Sequence, residues 1–219
     1  MTNDQKSSKR QRRKEERPSQ ILEASLEVFG EKGFHASRID DVAERAGIAK
    51  GTVYLYFDSK EALFEAAVRE RFGERAEEIE ALIATYEGPS DQLIAMIITG
   101  MYEKIANPKL RTIMRVMLAE GANFPNLTKF YHREVISRMR GLVKQVIARG
   151  IERGEFDASA ATELPVVIMA PGLMGMMWQI LFSNVEDVPL ERFRDAHLAL
   201  VLNGLRARPA PGETDRPTS

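Results

Sequence analysis

The chain has 219 residues, 31 Lys and Arg against 32 Asp and Glu, and no cysteine. That length holds one large domain, or a small domain joined to a larger one. The missing thiols exclude a disulfide framework, a thiolate zinc site and a cysteine nucleophile, and they fit a reducing, cytoplasmic location.

In chain order, residues 1–17 come first. They hold Lys6, Lys9, Arg10, Arg12, Arg13, Lys14 and Arg17 against Asp4, Glu15 and Glu16, a local balance of +4 that leaves −5 for the remainder. Charged rather than apolar, the stretch does not read as a secretory signal. It reads as a disordered basic arm, either solvated or laid along phosphates. Pro18 to Lys32 follows as a first helix, with proline at its start and Gly33 just past its end. Its inner face is Ile21, Leu22, Ser25, Val28 and Phe29.

The segment SRIDDVAERAGIAKGTVYLYFDSK, residues 37–60, carries the most information. Ser37 is placed to cap a short second helix, with Asp40 three residues on. Ile39, Val42, Ala43 and Ala46 recur at i, i+3, i+4 and i+7 as a buried stripe. Gly47 stands where a left-handed residue ends that helix, and Ile48 is apolar inside the turn. A third helix is expected from Lys50 to Phe57, with Val53 and Phe57 inward. Its opposite side carries Gly51, Thr52, Tyr54 and Leu55, a poor composition for a solvated surface but a fitting one for a major groove. There Thr52 and Tyr54 can donate to phosphate oxygens, Leu55 can touch a thymine methyl, and Lys50 can reach a base edge or phosphate. Asp58 reads as the cap of a fourth helix, with Glu61 at the matching position. Lys60 in its first turn opposes the helix dipole, so another partner is expected, and a phosphate would supply one.

On these residues the chain resembles the tetracycline-repressor family of bacterial regulators. The matching block runs from Ile21 to Phe64, and AGIAKGTVYLYFDSKEAL is its most specific part. The resemblance implies that Lys50, Gly51, Thr52, Tyr54, Tyr56 and Lys60 face DNA, with Ser37 and Arg38 beside them on the backbone. One departure is Ala49, where many members place a serine that caps the recognition helix. Such a cap is worth about 1 kcal/mol.

Downstream, a long helix is expected from Ser59 to Tyr86, then helices near 90–106, 109–119, 126–153, 159–184 and 189–207. Breaks fall at Gly88–Pro89, Pro108, Pro125, Gly154 and Pro189. The fold class is therefore all-α: a three-helix helix-turn-helix domain over 18–64, then a larger helical ligand-binding and dimerisation domain over 65–208. The proline-rich stretch 209–219 reads as disordered.

Leu164 to Asn184 contains no charged residue. It is long enough for a membrane span, but Pro165, Pro171, Gln179 and the flanking Glu163 and Glu186 argue instead for a helix buried on all sides. One side would face its own subunit and the other a second copy, with Gly172 and Gly175 allowing close approach. With the last helix (Leu190, Phe193, Ala196, Leu200, Leu205) it would form a four-helix interface, so a homodimer through about 160–207 is expected, with no membrane partner.

Nine of the ten methionines lie in 90–182. Any one of them reads first as core filler; together they suit a cavity that adapts to apolar guests. Met101, Met114, Leu118, Tyr131, Met174 and Trp178 are the candidate lining, with His132 and Arg115 as candidate polar contacts. The resemblance implies a repressor that binds a palindromic double-stranded operator and is released by a small apolar or aromatic effector, through a swing of the long fourth helix. The alternative is a ligand-independent architectural DNA-binding protein on the same fold. Neither needs a cofactor or metal. His35, His132 and His197 form no i, i+4 pair, and no nucleophile elbow or P-loop is present, so an enzyme is not expected.

Overall fold

The structure is a computed structural model. It describes residues 3–158 and 160–206, without the side chains of 3–15, 74–75 and 160–161. The proline-rich stretch expected over 209–219 lies outside the described residues. Eleven α-helices follow in order: α1 Asn3–Lys32, α2 Ile39–Arg45, α3 Lys50–Tyr54, α4 Lys60–Thr85, α5 Ser90–Ile105, α6 Pro108–Glu120, α7 Pro125–Tyr131, α8 Arg138–Glu152, α9 Ala160–Glu163, α10 Val166–Leu181 and α11 Leu190–Leu205. A π-helical turn, His132–Ser137, joins α7 to α8. The one extended pairing among the described residues is a bridge between Phe156 and Arg206. No described helix is long and apolar enough to cross a membrane.

Helix α1 departs from the sequence reading. It begins at Asn3, with Pro18 inside it, so residues 3–17 are helical rather than a disordered arm. The physical reason lies in the residue types: Lys, Arg, Gln and Glu are good helix formers, and a charge run alone does not distinguish a helix from a coil.

Two compact units result, and each is built from two stretches of the chain. The first comprises the described residues through Arg75 together with Asn107–Ile136; the second comprises Ala76–Ala106 and the described residues from Ser137 on. Helices α6 and α7 thus belong with the helix-turn-helix. In the first unit, Phe29, Phe34 and Phe64 are buried and meet at 5.1–6.3 Å between ring centres. Phe124, in the α6–α7 turn, stacks edge-on against Phe34 at 5.0 Å. Gly30 in α1 lets Thr112 of α6 approach, since a Cβ there would lie 3.3 Å from its Oγ1. Fully burying each of these rings contributes about 1.5–3 kcal/mol.

In the second unit α5, α8, α10 and α11 pack around Leu93, Ile97, Val146, Ile168 and Val201. Arg149 donates to the carbonyls of Tyr86 and Gly88 at 2.6 and 2.7 Å, and the Glu155 carboxylate accepts from the Ser90 N–H at 2.7 Å. These bonds supply partners to the α4–α5 turn, whose backbone groups no helix satisfies. Ser90, through its side chain first and its N–H second, holds the Glu155 carboxyl below its ordinary range.

Candidate functional site

Two features stand out, one in each unit. The first is the outward side of α2 and α3. Helix α2 is capped at Arg38, not Ser37: the Asp41 carboxylate accepts from the Arg38 N–H at 2.9 Å. Gly47 ends the turn at φ +64°, in the left-handed region that costs glycine least. The Arg45 guanidinium bonds Glu27 and Glu31 and so ties α2 to α1. Those bonds push the Glu31 carboxyl down. Helix α3 spans only Lys50–Tyr54, shorter than the expected Lys50–Phe57. Ala49 is its N-cap and no side chain caps it. Ser59 Oγ, rather than Asp58, accepts from the Ala62 N–H and caps α4 at 3.0 Å.

Of the nine predicted DNA-facing residues, five are exposed on this side: Arg38, Lys50, Gly51, Tyr54 and Leu55. Tyr54 is 46 % and Leu55 80 % accessible, whereas Val53 between them is at 0 %. An added Cβ at Gly51 would meet nothing within 4 Å, so that surface is open. Lys50 Nζ bonds Asp40 at 2.8 Å. An exposed pair of this kind contributes little, so a phosphate can replace the carboxylate. Thr52 and Tyr56 are half-buried, and Tyr56 packs against the core.

Two residues have inward roles that the sequence did not reveal. Ser37 is buried, and its hydroxyl donates to the Gly33 carbonyl at 2.5 Å. Lys60 Nζ donates to the carbonyls of Phe34 and His35, each at 2.9 Å, and lies 4.8 Å above the Phe34 ring. The partner that offsets the unfavourable dipole position of Lys60 is thus the end of the α1–α2 turn. Nothing in the local spacing signals the Lys60 contact, since its carbonyls arrive from 23–26 residues away.

The second feature is an apolar cavity wholly within the second unit. Ile94, Ile97, Ile98 and Met101 line it from α5, Val143 from α8, and Ile168 and Met169 from α10. Its free volume is ≈ 10 Å³, about one water molecule's worth. Of the six predicted lining residues only Met101 is present. Met114, Leu118 and Tyr131 belong to the first unit. There Met114 packs on the core and Leu118 is exposed. Tyr131 is buried against Phe72, and burial raises its hydroxyl pKa. Met174 is exposed on α10. Trp178 donates its indole N–H to the Glu186 carbonyl at 3.1 Å and stacks on Phe182 and Phe193. His132 and Arg115 are exposed in the first unit. Helical periodicity places a methionine on a face; it does not say which helix that face meets.

Beside the cavity a buried polar clasp joins three helices. His197 of α11 is 1 % accessible, with Nε2 2.7 Å from the Ile168 carbonyl of α10 and Nδ1 3.2 Å from the Tyr102 hydroxyl of α5. The carbonyl can only accept, so Nε2 carries the proton and the tyrosine donates to Nδ1. Burial lowers the His197 pKa, against an opposing effect of the bond to Ile168, and lifts that of Tyr102 to about 12.

Helix α10 has two distinct sides. Ile168, Gly172, Gly175 and Met176 are buried, while Val166, Val167, Leu173, Met174 and Leu181 are 43–56 % accessible on the opposite arc. The glycines serve the subunit interior, not a meeting of two copies: a Cβ at Gly175 would press on Tyr102 at 3.2 Å and Phe193 at 3.4 Å. The outer arc is apolar and uncharged, which is a recognition surface rather than a solvated one.

Comparison with known proteins divides the chain by sequence, into an N-terminal and a C-terminal part. Residues 21–67 match the model of bacterial regulatory proteins of the tetR family, and residues 90–209 match the tetracyclin repressor-like C-terminal domain. The fatty acid metabolism regulator protein of Bacillus subtilis is 28% identical over 144 residues, 65% of this chain and 73% of that one. The HTH-type transcriptional repressor KstR2 of Rhodococcus jostii is 24% identical over 191 residues, 86% and 91% of the two chains. Among solved structures, the regulator FadR from Bacillus subtilis in complex with stearoyl-CoA superposes with a TM-score of 0.73. It is 23% identical and covers 85% of this chain and 98% of its own.

Proposed function

Since the chain belongs to the tetracycline-repressor family of bacterial transcriptional regulators, which are not enzymes, we propose that it is a homodimeric repressor released from its operator by a guest with an aliphatic chain. The observation that carries the DNA half of this reading is the α3 surface. An open Gly51, an exposed phenol and a lysine bonded to an exposed carboxylate lie together on one short helix, with an exposed leucine at its C-cap. These groups can dock in a major groove with phosphates at the rim. The dimer half rests on the outer arc of α10, five exposed apolar side chains on a helix without charge. A two-fold pair of reading heads calls for an operator with half-sites about 34–36 Å apart, or a multiple of that.

The effector half rests on the cavity. Its lining contains no ring and no charged group, which suits an aliphatic chain better than an aromatic guest. A relative named for fatty acid metabolism and a fold-mate holding stearoyl-CoA support acyl thioesters as the first class to test. Release requires that the guest bind two forms of the dimer unequally, with a coupling of roughly 1–3 kcal/mol.

The test is selection of bound fragments from random duplex DNA by the full chain, followed by titration of the selected duplex with palmitoyl-CoA and with an aromatic acid. A near-palindromic site, released by the thioester, is the expected result. Replacement of Tyr54 by alanine should weaken that site by about 1–3 kcal/mol without unfolding the protein. Absence of any preferred duplex defeats the DNA reading. A preferred duplex that no guest releases favours the ligand-independent alternative.

A further inference from the structure

The cavity in the second unit is small, and two half-buried methionines, Met101 and Met169, stand at its lining. Met101 both lines the cavity and remains half-buried, so it stands between the apolar interior and the surface. Its thioether lies on Gly172 of α10. A Cβ built there would collide with Met101 Cε and Sδ, so the flexible end of Met101 would have to move aside. The end of Met101 therefore occupies a notch that exists only because residue 172 has no side chain. The cavity beside it is lined only by aliphatic side chains and the thioethers of Met101 and Met169.

We propose that Met101 is a stopper for this cavity, and that the guest is a straight aliphatic chain which takes the place of the thioether in the Gly172 notch. The proposal deepens the effector reading above and rests on it. Methionine suits this role: it is unbranched, turns about three side-chain bonds and exposes a polarizable sulfur, so it leaves a groove by changing rotamer without moving the backbone. Its shape also fixes the class of guest, because a polymethylene segment matches the path of Cγ, Sδ and Cε and an aromatic ring does not. A guest that competes with an internal side chain pays for the rarity of the open form: its apparent dissociation constant is the intrinsic one divided by the open fraction. With the stopper in place for about nine-tenths of the time, truncation tightens binding about ten-fold.

The experiment uses the full chain labelled with 13C at the methionine methyls, titrated with 1-octanol and, separately, with toluene. The Met101 signal is assigned from Met101→Leu, a volume-conserving change. Octanol should shift the Met101 methyl at lower concentration than any other methionine, and toluene should leave it in place. Met101→Ala should bind octanol about ten-fold more tightly. Gly172→Ala should move the Met101 methyl signal in the guest-free protein and weaken octanol binding, because the added Cβ fills the notch and the flexible thioether must leave it. If octanol moves the Met169 methyl but not that of Met101, the stopper is wrong and the cavity reading survives. If no methionine methyl responds, both fall. Equal affinity of octanol for Met101→Ala and the parent protein, or a preference of the Met101 site for toluene, also overturns the proposal.

Discussion

Lys60 separates two accounts of the helix-turn-helix. If the lysine is there for DNA, its replacement weakens operator binding and leaves the fold intact. If it is there for the α1–α2 turn, replacement costs stability first. Two bonds of 2.9 Å from an ammonium to main-chain carbonyls are present, and bonds to a charged group are worth about 1.5–3 kcal/mol each when buried. Lys60 is half-buried, so water recovers part of that, and a loss of about 2 kcal/mol in Lys60→Met is expected. Methionine keeps the stem against Phe34 and Phe124, which confines the change to the charge and its bonds. For a chain of this length the melting temperature should fall by roughly 4–8 °C. The second assay is operator affinity against salt: each phosphate contact contributes about 0.9 to the slope of log K on log salt, and that slope should not change. A variant with unaltered melting and a slope reduced by about 1.8, one phosphate from each protomer, would refute the carbonyl account and restore the phosphate one.

Ala49→Ser should stabilise the first unit by about 0.5–2 kcal/mol, because the α3 N-cap has extended backbone (φ −70°, ψ 144°) and no side-chain cap; urea midpoints measure it. For His197, burial holds the folded pKa below the unfolded value of about 6.5. Below that pH the unfolded chain takes up a proton that the folded one refuses, so stability should be level above pH 6.5 and decline from there towards pH 5. The decline should shrink in His197→Gln, which can still donate to the Ile168 carbonyl. Asp41, Glu31, Glu80 and Glu155 are held low by their partners and titrate below this window. Replacing both Val167 and Met174, each about half exposed on the outer arc of α10, with glutamate should leave a folded monomer in sedimentation and weaken operator binding; an intact dimer would move the interface elsewhere.

The tetracycline-repressor family and the helix-turn-helix were legible in the chain itself, because they rest on local chemistry. Gly47 needs a left-handed turn, Val42 with Ala46 and Val53 with Phe57 repeat at helical spacing, and Gly51 to Leu55 form a surface that water alone does not explain. Breaks at Pro89, Pro108, Pro125 and Pro189 marked helix ends to within one or two residues, since proline acts on its own backbone. What the tertiary structure decided are the contacts between segments distant in sequence. Lys60 meets carbonyls of the α1–α2 turn, Tyr131 and Met114 join the first unit, Gly172 meets Met101, and His197 links α5 to α10. Periodicity gives each helix a buried side, but many partners satisfy an apolar stripe equally well. Only the packing of all the helices at once selects the pair that fills space without a clash.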